Sequence, residues 1–72
     1  IAYNPQQLNN AIAAGVNVDD ATFTATESFL NAGIPDNIST EERANRIAAN
    51  RKTIDDLREK NKNTFQVRIL LF

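Results

Sequence analysis

Apolar and polar positions along the chain fall into three stretches of helical spacing followed by one stretch of strand spacing. In the first, Leu8, Ala11 and Ile12 share one face. Asn4 is suited to the N-cap and Pro5 to the first helical position. Gln7 stands where a capping-box partner belongs, and Tyr3 and Leu8 occupy hydrophobic-staple positions. Gly15 should stop this helix, with Val16 folding back onto the apolar face.

The second stretch opens after Val18 with Asp19 and Asp20, two acids suited to a helix start. Phe23, Thr26, Phe29 and Leu30 then line one side of a helix. Thr22, Thr24 and Thr26 lower helix propensity, so a short strand competes over the first turn. Gly33 ends the stretch, Ile34 can pack back, and Pro35 blocks continuation. The third and longest helix starts from Ser39, with Glu42 placed for a capping box. Its stripe is thin: Ala44, Ile47, Ala48, Ile54 and Leu57, with Asn50 interrupting the heptad set by Ile47, Ile54 and Leu57. Two heptads are too few for a coiled coil and suit one wall of a small bundle. Arg58, Lys60 and Lys62 match the expected C-terminal end, and Asn61-Lys62-Asn63 reads as a loop.

From there the period changes from 3.6 to 2. Phe65, Val67, Ile69 and Leu71 alternate with Gln66, Arg68, Leu70 and Phe72, the signature of a strand. A lone strand leaves its backbone donors and acceptors unpaired. No second convincing strand precedes it, so its partner is expected outside residues 1–62. The sequence therefore predicts a mainly α fold: a small three-helix unit over 1–62 and an extended strand or arm over 63–72. The expected core is Leu8, Ile12, Val16, Val18, Phe23, Phe29, Leu30, Ile34, Ile47, Ile54 and Leu57.

Length limits this to one small domain: 72 residues bury only about 60% of the surface the unfolded chain exposes. The absence of His and Cys removes His- or Cys-based triads, zinc sites with nitrogen or sulfur ligands, iron–sulfur clusters and disulfides. No run of apolar residues is long enough to span a membrane. No secretion signal is read in the chain, and its compartment is left open. Ile1 in place of Met reads as a processed chain, an ordered fragment or an excised segment.

Charge is unevenly distributed. Residues 1–38 hold four acids and no Lys or Arg, and residues 39–72 hold eight bases and five acids. This polarity favours packing one half on the other, or steers association. The doublets Asp19-Asp20, Glu41-Glu42 and Asp55-Asp56 read as helix starts and a solvated face, because helical neighbours diverge by about 100°. A hard-cation site at Asp36, Asn37 and Ser39 lacks the spacing of an EF-hand loop. Asn37-Ile38-Ser39 fits a glycosylation acceptor, although Ser39 is better explained as a helix cap. No metal, cofactor or small-molecule substrate is implied, and no catalytic set is present.

The leading reading is a non-enzymatic structural or adaptor protein docked among other protein subunits in a larger assembly, a virion or similar particle being one setting. Its partner-binding residues are Phe65, Val67, Ile69, Leu70, Leu71 and Phe72. The alternative is a helical nucleic-acid-binding module using Arg43, Arg46, Arg51 and Lys52. Against it stand Glu41 and Glu42 at the start of the presumed recognition helix and a net charge of −1. A third reading is a fragment whose strand continues into a sheet elsewhere.

Overall fold

A computed structural model describes the backbone of residues 3–70 and the side chains of residues 3–64. It contains three helices, α1 (Pro5–Ala13), α2 (Asp20–Ala32) and α3 (Thr40–Leu70), and no strand among the described residues. The molecule measures 51 × 21 × 17 Å. Its long dimension follows α3, whose 31 residues span about 46 Å at the usual helical rise. α1 and α2 both pack on this spine.

The helix starts form where the sequence places them. Asn4 Oδ1 accepts from Gln7 N at 2.8 Å and Gln7 Oε1 accepts from Asn4 N at 2.9 Å, a complete capping box. Asp19 Oδ1 accepts from Thr22 N at 3.0 Å and from Thr22 Oγ1 at 2.6 Å. The hydroxyl bond first, then the backbone one, holds the Asp19 carboxyl below its ordinary range. α2 is therefore helical from Asp20, and the competing strand does not form. Ser39 Oγ accepts from Glu42 N at 3.0 Å, while the Glu42 carboxylate turns to Arg46 Nε at 3.0 Å.

The two glycines end their helices differently. Gly15 has φ 90°, with Gly15 N bonded to Ile12 O and Val16 N to Ala11 O, a Schellman closure that an L side chain would strain. Gly33 has φ −80°, and a Cβ added there would come no closer than 3.4 Å to its nearest neighbour, Leu30 O. Pro35 is sufficient to stop α2. Gly15→Ala is thus expected to destabilise by about 1–2 kcal/mol, whereas Gly33→Ala should stabilise by about 0.4–1 kcal/mol. Thermal melts of the two variants should shift in opposite directions.

The core is small. Leu8 and Ile12 from α1, Phe23 from α2, and Ile54 and Leu57 from α3 form one buried cluster, with Val18 and Leu30 packed at its edge. Ile34 is buried beyond it, and Thr26 is fully buried with its hydroxyl donated to Thr22 O at 2.9 Å. Three expected core residues are exposed: Val16 by 55%, Phe29 by 64% and Ile47 by 41%. Val16 lies in the α1–α2 connection and lines an open groove there; for Phe29 and Ile47 the physical reason is coverage. α1 is only nine residues long and faces the later part of α3, so it leaves the distal parts of α2 and α3 open.

α2 runs antiparallel to α3, as the cross-helix pairs show in order: Asp20 with Arg58, Glu27 with Arg51, Asn31 with Asn50, and the Pro35 carbonyl with Arg43. The charge split between the chain's halves is therefore used within the fold. Asn50, the break in the heptad stripe, is satisfied by donating to Asn31 Oδ1 at 3.0 Å, which pins the register of the two helices.

One boundary needs correction. Asn61, Lys62 and Asn63 are helical and not a loop. Asn61 has a tertiary role that outweighs its weak helix propensity. Its side chain accepts from Val18 N at 3.0 Å and donates to Val18 O at 2.9 Å, tying the α1–α2 connection to α3. α3 extends to Leu70, and the side chains of 65–72, on which the expected arm depends, lie outside the described residues.

Candidate interaction surfaces

The basic residues singled out on α3 each face a different acceptor. Arg43 Nη2 donates to Pro35 O at 2.6 Å and lies 3.8 Å from Asp36 Oδ1, so it points into the α2–α3 turn and not outward. Arg46 pairs with Glu42 one turn earlier, and Lys52 with Asp56 at 3.4 Å one turn later. Arg51 Nε donates to Glu27 Oε2 at 2.7 Å, and this bond with the neighbouring charge raises the Arg51 pKa above its ordinary value. Lys60 Nζ reaches Asn9 Oδ1 at 2.6 Å on α1. Arg51 and Lys52, adjacent on the helix, point about 100° apart. The four residues Arg43, Arg46, Arg51 and Lys52 do not converge on one surface.

Arg58, which the sequence marks only as a helix-end charge, is the most connected cation. Its Nε donates to Asp20 at 2.9 Å, Nη1 to Asp55 at 2.8 Å, and Nη2 to Thr24 Oγ1 at 3.3 Å. Its guanidinium lies 5.8 Å from the centroid of the Phe23 ring. Burial works to lower its pKa, but the bonds it donates to Asp55 and Asp20 prevail and hold it raised. The arrangement joins α2 to α3 and leaves the fork committed to protein acceptors. Only knowledge of the antiparallel α2–α3 register brings Asp20 and Thr24 to Arg58, and spacing along α3 alone does not carry that signal.

The acidic doublets do not gather. Asp19 caps α2, Asp20 and Asp55 bind Arg58, and Asp56 binds Lys52. No group of three potential metal ligands occurs among the described residues. Asp36 is exposed and directed toward Arg43. No described helix is long and apolar enough to cross a membrane. The partner-binding residues Phe65, Val67, Ile69, Leu70, Leu71 and Phe72 lie outside the residues whose side chains are described.

Two open grooves are informative. A groove of about 370 Å³ lies between α1 and the α1–α2 connection, lined by Tyr3, Gln7, Leu8, Ala11, Val18 and Thr22 among others. Two of its polar residues are already engaged, Gln7 with Asn4 and Asp19 with Thr22. The second, of about 390 Å³, lies between the distal parts of α2 and α3, lined by Phe29, Leu30, Gly33, Ile34, Arg46, Ala49 and Asn50. It lies beyond the part of α3 that α1 covers, where Pro5, Gln6 and Asn9 face Thr53, Asp56, Leu57 and Lys60. Sequence periodicity assigned Phe29 to the core; it borders open space instead.

The chain matches no protein-family model, no curated protein and no solved structure.

Proposed function

We propose that this chain is a non-enzymatic structural or adaptor protein that docks among other protein subunits, with its C-terminal segment as the docking element. The observation that carries this reading is a separation along the sequence. The described apolar cluster is assembled from Leu8 through Leu57, whereas a further apolar run, Phe65, Val67, Ile69, Leu70, Leu71 and Phe72, follows it with Arg68 as its one charge. Such a run is an association element in either geometry, as a strand edge or as a helix face. The lack of His and Cys and the commitment of Asp19, Asp20 and Asp56 to capping and ion pairs support the non-enzymatic part. A virion or similar multi-subunit particle is the setting proposed for it. The nucleic-acid alternative draws less support, since Arg43, Arg46, Arg51 and Lys52 each face an acid of this chain.

The test is the double variant Val67→Asp, Ile69→Asp in the full chain, followed by light scattering and circular dichroism. The expected result is a wild-type mass above that of one chain, reduced in the variant while the helical signal survives. A wild type that is a folded monomer at all concentrations overturns the reading. So does an unchanged mass in the variant, or loss of the helices together with association, which would place the segment in the intrachain core.

A further inference from the structure

We propose that the groove between α1 and the α1–α2 connection receives the C-terminal segment of a second copy of this chain, with Arg68 pairing to Asp19 and the two tails exchanged about a two-fold axis. This rests on the C-terminal segment being the docking element, and it names what that element docks on. The groove holds two of the four large apolar side chains exposed among the described residues, Tyr3 and Val16, together with Leu8 and Ala11. Its one acid is Asp19. Both bonds from Thr22 fall on Asp19 Oδ1, so Oδ2 meets no donor among the described residues. Of the four acids in residues 1–38, Asp20, Glu27 and Asp36 each lie within 4 Å of an α3 arginine, and Asp19 has no base beside it among the described residues.

The segment supplies the complement to this site. After Glu59 the chain holds Lys60, Lys62 and Arg68 and no acid, so its final apolar run arrives with positive charge alone. The geometry of α3 sets which copy provides it. Asn61 is bonded to Val18 beside the groove, and α3 continues unbroken to Leu70. Leu70 therefore lies about 14 Å beyond that level along the axis, directed away from its own groove. A second α3 running antiparallel and crossing the first near residue 66 reverses the relation. It brings the other copy's Leu70 to the level of Lys62, and its Arg68 to the level of Thr64, about 5 Å along the axis from Asn61 and the α1–α2 connection. The same operation serves both copies, so each groove takes the other's tail and the pair closes on itself.

Sedimentation equilibrium of the full chain should show a dimer. Val16→Glu should weaken it tenfold or more. Because Val16 is 55% exposed and lies outside the helices, circular dichroism of that variant should be unchanged. Asp19→Asn keeps a good N-cap and removes the charge. It and Arg68→Gln should each weaken the dimer several-fold, and the double variant should lose no more than either alone, as for two ends of one contact. The Val16→Glu chain keeps its tail, and a chain with Val67→Asp and Ile69→Asp keeps its groove. At a concentration where each alone is monomeric, their mixture should form a heterodimer through one tail in one groove. A wild-type dimer that Val16→Glu leaves unchanged overturns the inference while the C-terminal segment stands as a docking element for another surface. Additive losses at Asp19 and Arg68, or a mixture that stays monomeric, overturn it in the same way. A monomeric wild type overturns both readings together.

Discussion

Ile54→Ala is expected to remove about 2–5 kcal/mol of stability, the range seen for deleting a fully buried branched aliphatic side chain. Ile54 has no exposed surface and belongs to the cluster that joins all three helices: Leu8 and Ile12 of α1, Phe23 of α2 and Leu57 of α3. A chain of this length has roughly 4–11 kcal/mol in total, so the substitution takes a large part of it. Few neighbours can move into the space, because α1 and α2 meet mainly through α3. Each kcal/mol lost should lower the melting temperature by about 4–8 °C. The control is Ile47→Ala. Ile47 occupies the same heptad position one repeat earlier but is 41% exposed, so it should cost no more than about 1 kcal/mol. Equal losses at the two sites, in urea titrations followed by circular dichroism, would mean that the core extends farther toward the start of α3 than the geometry gives.

That pair of isoleucines also marks how far a sequence of this kind can be read. Caps, glycine stops and helix faces depend on residues within one or two turns, and so Asn4, Asp19 and Ser39 begin their helices as local chemistry predicts. Coverage is a property of neighbouring helices. Periodicity places Phe29 and Ile47 on the faces that approach other helices, but it does not say that α1 stops short of them. The charge split between the chain's halves was legible as a tendency to pack. Its realisation as Asp20–Arg58 and Glu27–Arg51 required the antiparallel register of α2 on α3. The groove beside Phe29 was hidden for the same reason: its walls come from two helices distant in sequence, and it exists only because no helix fills it.

The second large effect is expected at Asn61, where the sequence predicts a loop and the chain is helical. Asparagine is a poor helix former, and flanked by Lys62 and Asn63 it resembles a break. In place, its amide makes both hydrogen bonds that a neighbouring backbone would offer Val18: the oxygen accepts from Val18 N at 3.0 Å and the nitrogen donates to Val18 O at 2.9 Å. These bonds are partly buried, and Val18 packs at the edge of the core. Asn61→Ala should therefore cost about 1–3 kcal/mol, the penalty of leaving polar groups at a packed junction short of their partners. Asn61→Asp tests the two bonds separately. A carboxylate can still accept from Val18 N but has nothing to donate to Val18 O, and it sets a charge against that carbonyl. At neutral pH the aspartate variant should be no more stable than the alanine one. Protonation restores a donor, so the folded state should hold its proton more tightly than the unfolded chain does, and the folded pKa should lie above the usual value near 3.9. Stability specific to that proton is then fully present below the unfolded pKa and lost as pH rises through the folded one. Melting the aspartate and alanine variants side by side across that window isolates the effect from titration of the other acids, which the two share. The aspartate variant should gain on the alanine variant as the solution is acidified. If the two stay parallel at every pH, the bond to Val18 O contributes nothing, and Asn61 is only a polar residue that the helix tolerates.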